Sequence, residues 1–287
     1  MKLSIDHVTD FTYDTEVTHS IQYLRLTPLP SAGQQILQWH LDVPGSVHRT
    51  LDTYGNVLHV CTVDQPHQGI TIRAQGSAEI SEDEQPESDN RIPPEVFLRT
   101  SPLTQTSDAM REFARGFRAT NADAQAGRHQ LIELMSALLE RIPYRSGMTH
   151  VQSSAADAFA QGFGVCQDHS HIFIACCRWL GIPARYVSGY VHAGDDQHIA
   201  SHAWAEAWVE NAWHSFDVSN GLSSSNHHLK LAHGIDYLDA SPVRGVRWGG
   251  GAESMRTYAL VDQMDRRAAR LRDKQKDRLQ EQQQAQQ

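Results

Sequence analysis

The sequence lacks the features that would place it in a membrane, on nucleic acid or outside the cell. No window holds the roughly 18 consecutive apolar residues that a membrane-spanning helix needs. The start of the chain, residues 1–7, has no apolar block typical of a secretion signal. Acidic residues outnumber basic ones, 34 to 25, and the formal charge of −9 does not suit a phosphate backbone. We therefore expect a cytoplasmic protein with neither a membrane nor a nucleic-acid partner.

Cysteine is also scarce, with four residues: Cys61, Cys166, Cys176 and Cys177. Because the last two are sequence neighbours, they cannot link distant segments, so we expect reduced thiols rather than a disulfide framework. No internal repeat recurs at a fixed period. What the chain does have is 287 residues, 40% of them hydrophobic, which is enough to bury the core of one large or two modest domains. Seventeen histidines raise metal binding or acid-base chemistry as functions to be judged by position.

The residue patterns divide the chain into four predicted parts. Residues 1–82 hold short β-branched and aromatic runs separated by turn signals, which predict an antiparallel β domain. Residues 83–105 begin with acidic charge, proline and few apolar side chains, which is typical of a solvated linker. Residues 106–263 carry helical patterns followed by strands and form a second predicted domain. Residues 264–287 are polar and charged, which predicts a frayed helix or a disordered tail.

Four helices are predicted in the second domain. Apolar residues recur at helical spacing over residues 110–117, and again over residues 131–142 until a proline ends the run. Residues 154–162 begin with a capping box and close on a glycine. A fourth apolar face follows over residues 166–180, where a Gly-Ile-Pro sequence ends the helix.

Cys166 falls in the first turn of the fourth predicted helix, after a glycine-containing turn. Unpaired N–H groups and the positive end of the helix dipole favour the thiolate there, and the thiolate is the nucleophilic form of cysteine. Asp168 opposes this effect as a like charge close by. Cys176 and Cys177 lie on the apolar face and are predicted to be core residues. Cys166 is therefore the candidate nucleophile.

A thiol nucleophile needs a base, and the base is predicted from a β-hairpin. Residues 201–209 and 213–218 read as two strands, and a two-residue turn at 210–211 makes the numbers of paired residues sum to 421. This register places Asp217 diagonal to His202 on one face, about 7 to 8 Å away. His202 is thus the candidate base and Asp217 the carboxylate that orients it. The same face is predicted to hold three tryptophans: Trp204, Trp208 and Trp213.

Several motifs together resemble the bacterial transglutaminase-like cysteine enzymes. They are Gly164-Val165-Cys166-Gln167-Asp168, Gly181-Ile182-Pro183-Ala184-Arg185-Tyr186-Val187-Ser188-Gly189-Tyr190, Ser201-His202-Ala203-Trp204 and Phe216-Asp217. In the first domain, Leu24-Arg25-Leu26-Thr27-Pro28 and Asp52-Thr53-Tyr54-Gly55-Asn56 resemble the N-terminal β domain of this branch. The resemblance implies an α+β, papain-like core in which the cysteine helix packs on an antiparallel sheet. It also implies a catalytic triad, with Cys166 as nucleophile, His202 as base and Asp217 as orienting group.

The resemblance implies a cysteine hydrolase without a cofactor, acting on a peptide or protein. The family includes acyltransferases that crosslink proteins, peptidases and amidases, and the bacterial two-domain branch is regarded as cysteine proteases. We expect cleavage of an amide through a thioester that water resolves, with transfer to an amine as the alternative. The backbone N–H of Cys166 is the expected oxyanion donor, with a second donor in the segment around Tyr144. The sequence leaves the oligomeric state open.

Two positions depart from the family pattern. The common Asp-Pro-Thr-Asn is Asp217-Val218-Ser219-Asn220 here, and the usual Gly-Arg-Asp-Tyr is Gly234-Ile235-Asp236-Tyr237. The triad residues are intact. Loss of an arginine at position 235 removes a cation, which predicts a change in substrate preference or in local structure near the site.

Two other functions compete with the cysteine enzyme. A metal hydrolase is suggested by three groups of histidines: His169 with His171, His198 with His202, and His227-His228 with His233. Against it, two histidines two residues apart on a helix point in different directions, and a His-Glu-x-x-His motif is absent from the sequence. The second alternative is a catalytically silent binding module that contacts a partner through the acidic linker or the polar tail.

Overall fold

The computed structural model describes residues 1–88, 91–118, 124–146, 151–192 and 201–263. Within these ranges the chain forms an antiparallel sheet of seven strands, a second antiparallel sheet of four strands, and helices that pack on the second sheet. This is the α+β architecture that the sequence predicts.

The larger sheet is built around one long strand, β1 (Lys2–Leu24). Four shorter strands follow it, and the sheet order is β2-β5-β1-β4-β3. Their bounds are β2 (Gln34–Asp42), β3 (Ser46–Leu51), β4 (Val57–Val63) and β5 (His67–Ile80). Every second residue of β4 is buried, as expected for a strand with one face on a core. The predicted N-terminal β domain is confirmed.

The last two described strands return to this first sheet. They are β10 (Val243–Gly249) and β11 (Glu253–Gln263), and both pair antiparallel with β1. They lie within the range 106–263 that the sequence treats as one domain, yet they complete the sheet of the other. Pairing between the two ends of a chain is a tertiary contact that the linear pattern does not reveal. The predicted tail, residues 264–287, lies outside the described residues.

The four predicted helices are confirmed. They are α1 (Asp108–Arg115), α2 (Ala124–Arg141), α3 (Ala155–Gln161) and α4 (Cys166–Trp179). The Ser154 hydroxyl accepts the Asp157 N–H at 3.2 Å and starts α3, and Gly162 ends this helix with φ 76°. A short fifth helix, α5 (Tyr237–Ala240), was not predicted. None of the helices in the described part of the chain is long and apolar enough to cross a membrane.

The smaller sheet carries the helices and has the order β8-β7-β6-β9. Its strands are β6 (Ala184–Val191), β7 (His202–Val209), β8 (Ala212–Phe216) and β9 (His228–Gly234). Helix α4 packs mainly against β7 and is buried along nearly its whole length. At the centre of this core the rings of Phe173 and Phe216 stack with their centroids 5.0 Å apart. The cysteine helix is thereby fixed against the hairpin that carries the predicted base.

The two sheets share a second core. Tyr190 of β6 and Leu229 and Leu231 of β9 are buried together with apolar residues of the large sheet. The hydroxyl of Tyr190 also lies 2.7 Å from Nδ1 of His7, a buried residue of β1. Buried apolar area of this kind is the main favourable contribution to docking two layers.

The predicted linker contacts the small sheet at Glu87, while Asp83, Gln85 and Pro86 just before it are exposed. Glu87 exchanges two backbone hydrogen bonds with Trp213, 2.9 and 3.2 Å long. Its carboxylate accepts hydrogen bonds from Arg185, at 2.6 Å, and from Lys230. The acidic composition gave no signal for this contact, because its two cations, buried Arg185 and partly buried Lys230, lie about 100 and 140 residues later, on other strands.

Candidate active site

The chain brings Cys166 to the start of α4 through a tight turn. Val165 is the N-cap residue of α4. The Asp168 carboxylate, in the first turn of the helix, accepts the backbone N–H of Val165 at 2.8 Å and so stabilises the start of the helix. Gly164 makes room for that carboxylate, because a β-carbon at position 164 would lie 2.7 Å from Cβ of Asp168. The Cys166 side chain is half-buried, whereas Cys61, Cys176 and Cys177 are buried. Of the four thiols, Cys166 is therefore the one that solvent reaches.

The hairpin β7–β8 has the register that the sequence predicts. Ala205 pairs with Phe216 and Trp208 with Trp213, so the paired numbers sum to 421. The turn residues Glu210 and Asn211 have φ of 55° and 59°, the left-handed conformation of a two-residue type I′ turn. Asp217 follows the last paired residue of β8 and faces His202, the first residue of β7.

The structure places the three candidate residues together. Nε2 of His202 donates to Oδ2 of Asp217 over 2.7 Å, and the Cys166 thiol lies close enough to the His202 side chain to interact with it electrostatically. Because Nε2 is engaged by the carboxylate, Nδ1 is the ring nitrogen that stays available to the thiol. His202 is 8% exposed and Asp217 is fully buried. A thiol, an imidazole and a carboxylate therefore form one connected chain of proton-carrying groups.

The electrostatics of the site favour an ion pair between His202 and Asp217. Burial alone would lower the pKa of His202, but the hydrogen bonds to Asp217 and Cys166 outweigh it and raise this pKa to about 10. Burial would likewise raise the pKa of Asp217, yet the hydrogen bonds from His202 and His228 outweigh it and hold this pKa below its ordinary value. In contrast, burial raises the pKa of Cys176 to about 12. The site thus stabilises an imidazolium beside an ionised carboxylate.

Sequence reasoning missed two residues that touch Asp217. Nδ2 of Asn220 donates to Oδ2 over 2.7 Å, and Nε2 of His228 donates to the same oxygen over 2.9 Å. Asn220 lay within the Asp217-Val218-Ser219-Asn220 motif, so the motif itself carried a signal for it. The sequence analysis named His228 only as a candidate metal ligand; its place beside Asp217 carried no signal, because β9 reaches the site only through the sheet order.

The departures from the family pattern are explained in part by their surroundings. The Ser219 hydroxyl lies 2.8 Å from Nδ1 of His169, so this position still provides a hydroxyl beside the site. Ile235 is 2% exposed and packs with Phe97 and Trp213. Its carbonyl accepts a hydrogen bond from the buried guanidinium of Arg178 at 2.7 Å. An arginine at 235 would place a second cation beside Arg178 in this apolar cluster.

The three tryptophans predicted on one face have different surroundings. Trp204 is 1% exposed and stacks on His202, with centroids 6.3 Å apart and an interplanar angle of 21°. Trp208 and Trp213 contact each other at 5.4 Å. Trp204 therefore supports the imidazole from inside the protein.

The histidine groups suggested for a metal are arranged differently from the prediction. The ring nitrogens of His169 lie 2.8 Å from the Ser219 hydroxyl and 2.7 Å from the Ile142 carbonyl, and Nε2 of His171 accepts the Tyr237 N–H. His198 lies outside the described residues.

Two histidines from these groups, His202 and His228, do come together with Asp217. Among the described residues, His202, Asp217 and His228 bring ligand atoms within 4.8 Å of one another. However, the 2.7 and 2.9 Å separations between Asp217 Oδ2 and the two imidazole nitrogens are hydrogen-bond lengths. Ligands around a tetrahedral zinc ion stand roughly 3.3 Å apart. This cluster therefore fits shared protons better than a shared metal ion.

Comparison with known proteins gives two family matches. Residues 3–79 match the bacterial transglutaminase-like N-terminal region, and residues 111–218 match the transglutaminase-like superfamily. The second match contains all three candidate residues. Among solved structures, a proposed cysteine protease from Cytophaga hutchinsonii has a TM-score of 0.73 and 23% identity, covering 91% of this chain and 90% of that one. At this identity the likeness shows the fold.

Two mycobacterial relatives match over most of their length. An uncharacterized protein from Mycobacterium leprae is 28% identical over 270 residues, which cover 88% of this chain and 96% of the relative. An uncharacterized protein from Mycobacterium tuberculosis is 28% identical over 289 residues, covering 88% and 89%. The similarity thus extends along most of this chain and along most of each relative.

Proposed function

We propose that the chain, which matches the bacterial transglutaminase-like N-terminal region and the transglutaminase-like superfamily, is a cysteine hydrolase that cleaves an amide bond in a peptide or protein substrate. The observation that carries this proposal is the hydrogen bond between His202 and Asp217, together with the Cys166 thiol that interacts with the same imidazole. A buried carboxylate that holds an imidazole beside a solvent-accessible thiol is the arrangement that activates a cysteine nucleophile. The cytoplasmic location and the peptide or protein substrate stay predictions of the sequence.

The first half of the reaction forms a thioester. His202 takes the thiol proton of Cys166 through Nδ1, and Asp217 stabilises the imidazolium that results. The thiolate attacks the amide carbonyl carbon, and the π electrons of the carbonyl move onto oxygen. When the tetrahedral intermediate collapses, the C–N bond breaks and the imidazolium gives its proton to the leaving amine.

The second half returns the enzyme to its starting state. Neutral His202 takes a proton from water, and the hydroxide attacks the thioester carbon. Collapse of this second intermediate breaks the C–S bond, releases a carboxylic acid and leaves Cys166 to regain its proton from the imidazolium. If an amine replaces water in this step, the product is a new amide and the enzyme is an acyltransferase.

Both tetrahedral intermediates carry an oxyanion that needs hydrogen-bond donors. The first turn of α4 offers the backbone N–H of Cys166, which has no partner within the helix. We place the second donor at the Tyr144 hydroxyl. Tyr144 pairs as a parallel β-bridge with Gly164, two residues before the nucleophile, and its side chain is 51% exposed. Burial of part of the ring and the charge at Cys166 raise the pKa of Tyr144, which keeps its proton available for donation.

Product analysis tests the proposal and separates it from its alternatives. Wild type and Cys166→Ala are incubated with peptide libraries, with and without a primary amine, and products are read by mass. Water gained with release of an amine indicates hydrolysis, whereas retention of the added amine indicates transfer. Cys176→Ala is the matched control, since it removes a buried thiol of the same helix. We expect hydrolysis by wild type and Cys176→Ala and none by Cys166→Ala.

Thiol labelling provides a test that needs no substrate. Cys166 should react with iodoacetamide near neutral pH much faster than Cys61, Cys176 and Cys177, for which burial raises the pKa. Equal and slow reaction of all four thiols, with no product from any library, would support the binding module instead.

A further inference from the structure

The carboxylate of Asp217 is shared by two imidazoles. His228 begins β9 and approaches Oδ2 of Asp217 at 2.9 Å, while His202 approaches the same oxygen at 2.7 Å. We propose that His228 is a positioning residue, a neutral imidazole whose Nε2–H holds the Asp217 carboxylate in the orientation that His202 requires. This inference rests on the proposed function, because it assigns a role within the same site.

The surroundings determine which form His228 takes. Asp217 is fully buried and ionised, so its oxygen accepts hydrogen bonds and Nε2 of His228 must carry the proton. Burial lowers the pKa of His228, although the hydrogen bond to Asp217 opposes this effect. The ring is therefore neutral, and Nδ1 has no hydrogen-bond partner in the described part of the chain. A neutral donor holds the carboxylate without adding a second positive charge, so His202 stays the cation of the site.

The position of His228 is fixed by packing and by the sheet. The indole of Trp204 lies against its ring, with centroids 4.7 Å apart, and also stacks on the His202 ring. In the intervening strand β6, Gly189 pairs with His202 on one side. A β-carbon at Gly189 would stand 2.7 Å from the edge of the Trp204 ring, so the missing side chain is what lets the indole reach both imidazoles. The Trp204 indole therefore sets the distance between the two imidazole rings.

The hydrogen bonds to Asp217 explain why a third donor matters. Oδ2 accepts from His202, His228 and Asn220, and within the described ranges Oδ1 accepts only the backbone N–H of Asn220 at 3.3 Å. Without His228, the hydrogen bonds to the carboxylate come from His202 and from Asn220 alone. Asn220 lies in the short turn that follows Asp217. We expect the carboxylate to turn and its bond to His202 to weaken. The imidazolium would then lose stabilisation, and Cys166 would form its thiolate only at higher pH.

Two substitutions isolate the hydrogen bond. His228→Leu removes the donor and keeps an apolar side chain of moderate size. His228→Gln keeps a donor, because its amide nitrogen is the same number of bonds from Cβ as Nε2 of histidine. The measurement is the second-order rate of Cys166 alkylation by iodoacetamide from pH 4 to pH 9, with the modified site identified by mass. For His228→Leu we expect a rate at pH 6 at least tenfold below that of wild type, and a labelling midpoint about one pH unit higher.

The conservative variant should recover most of this loss. We expect His228→Gln to react within about threefold of wild type and to keep the wild-type midpoint. A residue that only supports the fold would change the unfolding midpoint without moving the pH of thiolate formation. If His228→Leu does not fold, His228→Asn replaces it, since its shorter amide cannot reach Oδ2; the same loss is expected.

The outcomes separate the two proposals. If wild-type Cys166 reacts rapidly and His228→Leu, or His228→Asn, keeps both its rate and its midpoint, the positioning role is wrong and the cysteine hydrolase stands. If His228→Gln loses as much as His228→Leu, donation by Nε2 is also wrong. If wild-type Cys166 itself reacts no faster than the buried thiols, the proposed function fails first.

Discussion

Gly189 lies directly beside the indole of Trp204, and a β-carbon at this position would come within 2.7 Å of the ring and would collide with the Leu229 carbonyl oxygen. The glycine is thus required by close approach of a neighbouring side chain and a neighbouring strand, since its backbone has no unusual φ. Because the Trp204 ring lies against His202 and His228, the contact also affects the positions of the two imidazoles at Asp217.

We expect Gly189→Ala to lower the free energy of unfolding by about 1–3 kcal/mol, because the added methyl group forces apart β6, β9 and the indole. Urea denaturation followed by fluorescence measures the change. Gly116→Ala is the matched control: Gly116 has right-handed helical angles, and its added β-carbon would meet nothing closer than 3.6 Å. Equal stability of the two variants would contradict the close approach at Gly189.

Tyr144→Phe tests the second oxyanion donor. We expect the rate of amide hydrolysis to fall about 100-fold, because one donor to the developing oxyanion is lost. Alkylation of Cys166 by iodoacetamide should stay within about twofold of wild type, because displacement of iodide forms no oxyanion. A parallel loss in both reactions would instead indicate that the phenol supports the thiolate itself.

The pH dependence of stability follows from His202. Its pKa in the folded protein is about 10, above the ordinary value of 6.5, so the folded state holds this proton more tightly than the unfolded chain. The resulting stabilisation is complete below pH 6.5 and is lost as pH rises from 6.5 to about 10. It amounts to roughly a few kcal/mol. Urea denaturation of wild type at pH 6, 8 and 10 should show this decline.

His202→Gln is the control for this decline, since glutamine does not titrate. Its unfolding free energy should change less than that of wild type over the same interval. A decline of the same size in both proteins would assign the pH dependence to other groups. Asp217 affects stability at acidic pH. Because its pKa is lowered in the folded protein, it stabilises the fold at pH values above its ordinary pKa, and this stabilisation is lost on acidification.

The attachment of the predicted linker can be tested at Glu87. Glu87→Gln leaves two cations, Arg185 and Lys230, with Glu206 as their remaining carboxylate partner. We expect this substitution to cost about 1–3 kcal/mol, because Arg185 is buried while Glu87 is partly exposed. Glu82→Gln, whose side chain is 86% exposed, should change the unfolding free energy by less than about 0.5 kcal/mol. A similar small effect at Glu87 would show that the linker is held by its backbone bonds alone.

Much of the candidate site could be read from local sequence signals. The glycine-containing turn before Cys166, the apolar face of α4 and the two-residue turn at 210–211 are short-range patterns. Because side chains alternate along a strand, the turn length alone placed His202 and Asp217 on one face of the hairpin. These patterns predicted the elements, the register and the three residues before any long-range contact was known.

Only the tertiary structure decided what surrounds Asp217 and how the chain closes. His228 reaches the carboxylate because β9 pairs beside β6, and β10 and β11 return to β1 across nearly the whole length of the chain. Glu87 is held by cations on two different strands. Such contacts depend on which strands become neighbours. Strands become neighbours because distant segments bury their apolar faces together. The sequence determined each segment and its spacing by itself, whereas the shared burial of those segments chose their partners.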